Sequence, residues 1–328
     1  MFRALYRASD GIVRTDLAEA DVARAVNDDD GMLWLDLDAH EPEANRHLLL
    51  DVLGFHPLAV DDALEERNVP KVDDWDRYLY VGLQEAALRV EDDVPLQTHE
   101  VDIFVGRRFV VTHQHHPQGA VERVWLDCQR DERILQRGAT VLLYRLMDEL
   151  TDGYMRVVDD LDEVVDRLED TVLDGQTRDV LPTIMRYKRA LLQLRRIIAP
   201  QREVANRLAR GDDDVLDESK LIYFRDVYDH YVRLSDISEN LRDLVSSALD
   251  MHLSVINNRM NEVMKTLTVI TVLFAPLTFI SGFFGMNFFQ ASGLFDAWTA
   301  RLAFVITLII LGLSPLGMVL WLRKRSWM

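Results

Sequence analysis

Two long uncharged runs, set close together near residue 328, constrain this chain more than any other feature. Residues 266–295 and 302–322 contain no Asp, Glu, Lys or Arg. Within them, "LTVITVLFAPLTFISGFF" and "LAFVITLIILGLSPLGMVLWL" are each close to the ~20 residues that a helix needs to cross the hydrocarbon core of a bilayer. Buried helices of a soluble protein rarely supply two such runs side by side. Pro276 and Pro315 interrupt them, which neighbouring helices tolerate in lipid. Arg259 and Lys265 precede the first run, and Arg323, Lys324 and Arg325 follow the second. Only Asp296 stands between the runs before Arg301, so the positive-inside rule puts both termini in the cytoplasm and the short loop outside. Trp298, Trp321 and Trp327 fall near the expected interfaces, where amphipathic rings are enriched.

The charge balance narrows the function of the remainder. A formal net charge of -18 argues against nucleic-acid binding, which needs a basic face to neutralise phosphates, and suits attraction of cations instead. The single Cys128 cannot form an intrachain disulfide, and no Cys cluster has zinc-ligand spacing. No apolar core of signal-peptide length opens the sequence, so no cleaved targeting segment is expected. A phosphate-binding loop of the Gly-x-x-x-x-Gly-Lys type is absent, as is any spacing that would assemble a catalytic triad, and an enzyme is not expected.

Ahead of the spans, the first 120 or so residues mix strand and helix signals. "GMLWLDLDA", "RYLYVGLQEAAL" and "EVDIFVGRRFVVTHQ" read as strands, with "EPEANRHLLLDVLGF" and "HPLAVDDALEER" as short helices between them, which together suggest a compact α/β unit. After Val121 apolar residues recur at helical spacing through "TVLLYRLMDELTDGYMRVVDDLDEVVDRLEDTVL" and, beyond Pro182, "LPTIMRYKRALLQLRRIIAPQREVANRLA". "GDDDVLDES" breaks the pattern and reads as a solvated connection. From near Ser219 the helical pattern runs on with no Gly or Pro until Pro276. Some 60 residues at ~1.5 Å each give a helix roughly 90 Å long, running from the cytoplasm into the membrane.

One face of this helix carries Asp250, Ser254, Asn257, Asn261, Met264, Thr268, Thr271 and Ala275 at steps of three, four or seven. Lipid would reject so polar a face, so it must turn inward. Two readings remain open at this point. Small residues can let helices pack while Thr hydroxyls bond back to carbonyls four residues earlier. Alternatively, symmetric copies surround an axis and the stripe lines a water-filled path for a hydrated cation, which requires an oligomer because two spans cannot enclose a pore.

"FGMNF" supplies Gly285, Met286 and Asn287, a Gly-Met-Asn signature at the end of the penultimate span. Set within "NEVMKTLTVITVLFAPLTFISGFFGMNF", and preceded by "YFRDVYDHYVRLSD" and "HPLAVDDALEERNVPKVDDWDRYLYV", it resembles the CorA family of divalent-cation (magnesium/cobalt) transport proteins over most of the chain. The resemblance implies an α+β cytoplasmic domain, long stalk helices and two C-terminal transmembrane helices, assembled as a funnel-shaped homopentamer in the plasma (inner) membrane. On this plan the divisions are an α/β domain at 1–120, a helical hairpin at 121–218 and a stalk helix at 219–265. A membrane helix at 266–284, an external loop at 285–301, a second membrane helix at 302–322 and a basic tail at 323–328 complete it.

Carried over by resemblance, Asn287 belongs to an outer ring that receives a hydrated cation, with Gly285 leaving room for the turn and Met286 supporting the loop. Asn261, Met264 and Leu267 match the inner pore, where apolar side chains can gate by dewetting. Thr268 and Thr271 join them from the periodicity, and Asp250 matches an acid that concentrates cations at the cytoplasmic mouth. A regulatory site between subunits is implied at Asp62 and Asp226, with Asp61 adjacent, closed by bound Mg²⁺. No cofactor is required: Mg²⁺ is both the transported and the regulatory ion, with Co²⁺ or Ni²⁺ as further cargo.

Two departures from the family pattern bear on ion choice. An acidic Met-Pro-Glu-Leu type sequence commonly follows the signature in magnesium members, whereas this chain has "FFQASGLFDAW". Ala275 occupies a position where a larger Met can stand. A proton-coupled zinc transporter of the ZntB type is therefore the alternative, and a non-conducting membrane cation sensor or scaffold is a third reading from another class. In "THQHHPQG", strand spacing puts His113 and His115 on one face and His116 opposite, and a surface cluster at a strand end is expected rather than a zinc site.

Overall fold

The computed structural model describes residues 2–15, 17–65, 69–89, 95–114, 119–174, 180–285 and 301–324. Two compact units result, Met1–Asp250 and Met251–Met328.

The first unit is built on a seven-stranded sheet. Its strands are β1 (Phe2–Arg7), β2 (Val13–Arg14), β3 (Met32–Asp38), β4 (Lys71–Asp74), β5 (Tyr78–Leu88), β6 (Leu96–Gly106) and β7 (Phe109–Gln114), in the order β2-β1-β3-β7-β6-β5-β4. All pairs are antiparallel except β3 with β7, which run parallel in the register Leu33↔Phe109 to Asp38↔Gln114. A parallel pair cannot be joined by a tight turn, and the chain between these two strands supplies helices and the β4–β6 meander.

Alternation along β3 sends Leu33, Leu35 and Leu37 to one face, where they share a core with α1 (Glu19–Val26), the π turn (Leu48–Val52) that follows α2 (Pro42–His47), and α3 (Pro57–Leu64). Trp34, from the other face, donates its Nε1–H to Thr112 Oγ1 at 3.2 Å and meets the Trp125 ring at 4.8 Å on α4 (Ala120–Arg130). Both faces of the sheet are thus covered, and a central strand such as β7 is buried at every position.

After a short α5 (Arg133–Gln136), two long helices follow, α6 (Ala139–Leu173) and α7 (Val180–Arg210). Gly211 ends α7 at φ +66, a left-handed conformation that a side chain would strain, and this is where "GDDDVLDES" begins. Asp213 Oδ1 there accepts from the Val215 and Leu216 amides at 3.1 and 3.0 Å, so the acids of this connection satisfy its own backbone. A 3₁₀ turn (Glu218–Lys220) leads into α8 (Ile222–Gly285). Within the first unit α8 buries Phe224, Val227, Tyr231, Leu234, Leu241, Val245 and Ala248, a stripe at helical spacing.

In the second unit, α8 continues through Pro276 to Gly285, and α9 (Arg301–Lys324) contains Pro315. The described chain has two helices long and apolar enough to cross a membrane. Phe274, Phe279, Leu313 and Leu316 among others stand exposed on them, as hydrocarbon contact requires.

The expected strands and helices of the α/β unit are present, and four further elements accompany them: β1, β2, α1 and β4. The helical region after Val121 also begins with two short helices, α4 and α5, before the long pair.

Candidate functional site

On α8, Asp250, Ser254, Asn257, Asn261, Met264, Leu267, Thr268, Thr271 and Ala275 are all exposed. In this part of the helix Val269 is buried and Leu273, Pro276, Leu277 and Ile280 are half-buried, a side roughly 140° around from the stripe. Helical geometry therefore brings the expected pore residues onto one open face. Thr268 donates its hydroxyl hydrogen to the Met264 carbonyl at 2.7 Å, and Thr271 donates to Leu267 at 2.9 Å. Such a bond fixes the hydrogen against the helix and leaves the oxygen lone pairs facing outward, so this face presents acceptors. Gly285 is the last residue of α8, while Met286, Asn287 and Asp296 lie outside the described residues.

The implied regulatory acids separate into two groups. Asp62 on α3 accepts from Lys71 Nζ at 2.5 Å, and Lys71 also reaches Asp73 at 3.0 Å. Asp61 pairs with Arg46 at 2.7 Å. Asp226, on α8, instead forms a cluster with Asp148 of α6 and His230, in which one ligand atom from each lies within 4.8 Å of the others. Asp61 and Asp62 are not members of that cluster. Burial and the neighbouring Asp152 carboxylate hold the Asp148 carboxyl above its usual range, while Arg145, at 3.3 Å, opposes the shift. Two carboxylates and an imidazole at this spacing can converge on one divalent cation, and the positive charge would relieve the like-charge strain that raises Asp148. His230 was open to sequence reading as the i+4 neighbour of Asp226. Asp148 was not, since it comes from a helix 78 residues away in sequence.

The histidine expectation is corrected. His113 is only 1% exposed, because β7 lies between β3 and β6 with helices over both faces rather than at the surface. Its Nδ1 is 3.9 Å from Asp102 Oδ2, and Tyr80 donates to the other oxygen of Asp102 at 2.6 Å. Burial, with the adjacent Asp102 charge, pushes the Tyr80 phenol far above its ordinary value. His115 and His116 lie outside the described residues.

A buried polar relay ties α8 to the sheet next to the cation cluster. Tyr154 of α6 donates to the Gln84 carbonyl of β5 at 2.9 Å and accepts from Gln201 Nε2 of α7 at 2.6 Å. Gln201 Oε1 in turn accepts from the Tyr231 hydroxyl of α8 and from the Gln84 amide, both at 3.3 Å. Tyr231 follows His230 directly, so the relay holds the helix turn that carries Asp226 and His230.

Comparison with known proteins places these features in a family. The model of the CorA-like Mg²⁺ transporter protein family matches residues 29–324. The cobalt/magnesium transport protein CorA of Thermotoga maritima is 32% identical over 280 residues, covering 85% of this chain and 78% of its own. The zinc transport protein ZntB of Yersinia enterocolitica is 28% identical, covering 90% of this chain and 88% of its own. Among solved structures, the complete CorA magnesium transporter from Methanocaldococcus jannaschii superposes with a TM-score of 0.84 at 22% identity, covering 99% of this chain and 98% of that one. That likeness establishes the fold: a soluble α/β domain, a long helix and two C-terminal apolar helices.

Proposed function

The chain belongs to the family of CorA-like Mg²⁺ transporter proteins, and from that membership we propose that it conducts divalent cations, Mg²⁺ foremost and Co²⁺ or Ni²⁺ besides, passively across the membrane. The observation that carries this reading is the open polar face of α8, from Asp250 to Thr271, in a chain whose family match spans residues 29–324. Two apolar helices cannot enclose an aqueous path alone, so the conducting unit is a homo-oligomer, a pentamer, with α8 innermost and both termini in the cytoplasm.

Mg²⁺ holds six water ligands tightly, and those waters direct their hydrogens outward. A path lined by acceptors, the Asn261 amide oxygen and the Thr268 and Thr271 hydroxyl oxygens, can take hydrogen bonds from that shell without stripping it. Met264 and Leu267 narrow the same stretch and gate it by dewetting when the copies close together. At the outer end Asn287 is the ring that first meets the hydrated ion, its amide accepting without a full charge that would trap the cation. At the inner end Asp250 raises the local cation concentration.

Regulation is assigned to Asp62 and Asp226, with Asp61 adjacent, as ligands that a cation draws together across a subunit interface. Asp148 and His230, which lie beside Asp226, join that set. Carboxylates facing one another repel until the cation bridges them, so bound Mg²⁺ favours the closed assembly and its loss loosens it.

A second reading, proton-coupled Zn²⁺ transport, is favoured by the similarity to ZntB and by the shortage of acids in "FFQASGLFDAW". Flux into liposomes holding the purified oligomer, measured for Mg²⁺ and Zn²⁺ with and without an imposed pH gradient, separates the readings. Mg²⁺ entry without a gradient supports the channel, and gradient-dependent Zn²⁺ entry supports the alternative. No flux of either ion leaves a non-conducting sensor or scaffold and overturns both.

A further inference from the structure

A cavity of about 630 Å³ opens in the first unit where α5, the start of α6 and the start of α8 come together. Its volume lies within the range of sites for small organic ligands. Arg133, Arg137 and Arg145 line it against a single carboxylate, Asp131, which inverts the charge of a chain whose net is -18. The three guanidinium groups are not equally engaged. Arg133 grips Asp131 at 2.8 and 2.9 Å, and Arg145 reaches Asp148 at 3.3 Å and Asp127 at 3.6 Å. Arg137 makes no ion pair or side-chain hydrogen bond among the described residues: its backbone is engaged, through its amide to the Arg133 and Ile134 carbonyls and its carbonyl to Lys220 Nζ at 2.7 Å, while its guanidinium acts on Asp131 only through longer-range attraction.

The remaining wall combines Ile134, Gln136 and Val141 with two aromatic rings. Tyr144 and Tyr223 stack with centroids 4.9 Å apart and planes inclined by 26°, and Tyr223 is 36% exposed. Planar guanidinium forks match phosphate oxygens, and an exposed tyrosine face takes a flat heteroaromatic ring by offset stacking. A lone inorganic anion would use the first feature and leave the second idle, along with most of the volume.

We propose that this cavity binds a nucleotide, its phosphates on Arg137 and Arg145 and its base against the Tyr144–Tyr223 pair. Binding is read without any flux measurement, so it stands or falls separately from the transport reading.

Full-length protein in nanodiscs is titrated calorimetrically with ATP, ADP, adenosine and inorganic phosphate, in magnesium-free buffer containing a chelator. The expected result is saturable binding of ATP and ADP, with adenosine and phosphate weaker by about tenfold or more, since each supplies only one of the two contacts. Arg137→Glu lowers ATP affinity by about tenfold or more at a nearly unchanged melting temperature, because its side chain has no hydrogen bond or close ion pair to lose, only a longer-range attraction to the exposed Asp131. Tyr223→Ala weakens ATP and leaves inorganic phosphate unaffected. The proposal is overturned if ATP gives no saturable heat, if Arg137→Glu binds it as the unsubstituted chain does, or if adenosine or phosphate binds as tightly as ATP.

Discussion

The relay at Gln201 permits a prediction in which the position of single hydrogens decides the outcome. Tyr154 has one hydroxyl hydrogen, and it is given to the Gln84 carbonyl at 2.9 Å, so toward Gln201 the phenol can only accept. Gln201 must therefore present its NH₂ to Tyr154 and its oxygen to Tyr231 and the Gln84 amide, an arrangement an ionised carboxylate of the same size does not reproduce. Gln201→Leu removes one short bond of 2.6 Å and two longer ones of 3.3 Å from a site that is wholly buried. At about 1 kcal/mol for each bond, and more where a buried donor loses its acceptor, the first unit should lose roughly 2–4 kcal/mol. For a unit of this size that is a fall in melting temperature of roughly 5–15 °C.

Gln201→Glu separates hydrogen-bond direction from packing. When ionised, the new carboxylate points an acceptor at an acceptor and carries a buried charge; when protonated, it can donate to Tyr154 and restore the pattern. Its folded-state pKa is therefore raised above the unfolded value of about 4.3. A raised carboxyl binds more protons folded than unfolded in that window, so stability falls as pH rises through it, by up to about 1.4 kcal/mol per unit. Relative to the unsubstituted chain, Gln201→Glu should be as damaged as Gln201→Leu at pH 7 and should recover on acidification toward pH 5, while Gln201→Leu should not. Thermal unfolding of the full chain in detergent at both pH values, followed by circular dichroism, reads this directly. A Gln201→Glu variant matching the unsubstituted chain at pH 7, or following the pH course of Gln201→Leu, would refute the assigned proton directions.

Other expectations concern the residues proposed to conduct and regulate. Asn287→Ala should reduce cation uptake to background while leaving the oligomer intact by size-exclusion chromatography; undiminished flux would remove it from the outer ring. Thr271→Val keeps side-chain shape but deletes the outward oxygen, so Mg²⁺ flux should drop severalfold with melting temperature nearly unchanged, and an unaltered rate would show that the path does not use that hydroxyl. Asp226→Ala combined with Asp62→Ala should raise the Mg²⁺ concentration that protects the first unit from protease by about tenfold or more, equivalent to about 1.4 kcal/mol of lost site affinity. Asp148→Asn should produce a smaller shift in the same direction, and protection identical to the unsubstituted chain in both variants would eliminate the regulatory assignment.

What could be read from sequence depended on how much of each element's cause is local. The α8 stripe was legible because a helix converts spacing into geometry with no help from the rest of the chain. The strands β3, β5, β6 and β7 were legible for the same reason, as apolar alternation carries over to burial. β4, "KVDD", was not: three of its four residues are charged, and it is a strand because its backbone pairs with Leu79–Gly82 of β5. His113 was misjudged because its neighbours "QHHPQG" are polar, whereas burial is set by the sheet order, which places β7 in the interior. Asp148 could not have been joined to Asp226 by any spacing rule, since α6 and α8 meet only through tertiary packing.

The two readings left open for the polar stripe turn out to be compatible. A threonine in a membrane helix must satisfy its hydroxyl hydrogen, and Thr268 and Thr271 do so on the carbonyls one turn earlier. That local bond looks like a purely structural device, yet it determines what the face offers to a solute. With the hydrogen committed inward, each threonine oxygen can only accept, so an anion, whose hydration waters turn their oxygens outward, finds donors on this face only at amide groups such as Asn261. A hydrated cation presents hydrogens all around and finds acceptors at Thr271, Thr268 and the amide of Asn261. On the proposed path, a preference for cations would rest on the acidic residue Asp250 together with these acceptor-only hydroxyls, before any dehydration or size selection. Choice among divalent cations needs more than this face supplies, because Mg²⁺ and Zn²⁺ with complete water shells expose the same hydrogens to it. On the proposed reading it arises at Asn287 or in the loop beyond, and exchanging "FFQASGLFDAW" for an acidic loop should therefore alter the preference among divalent cations.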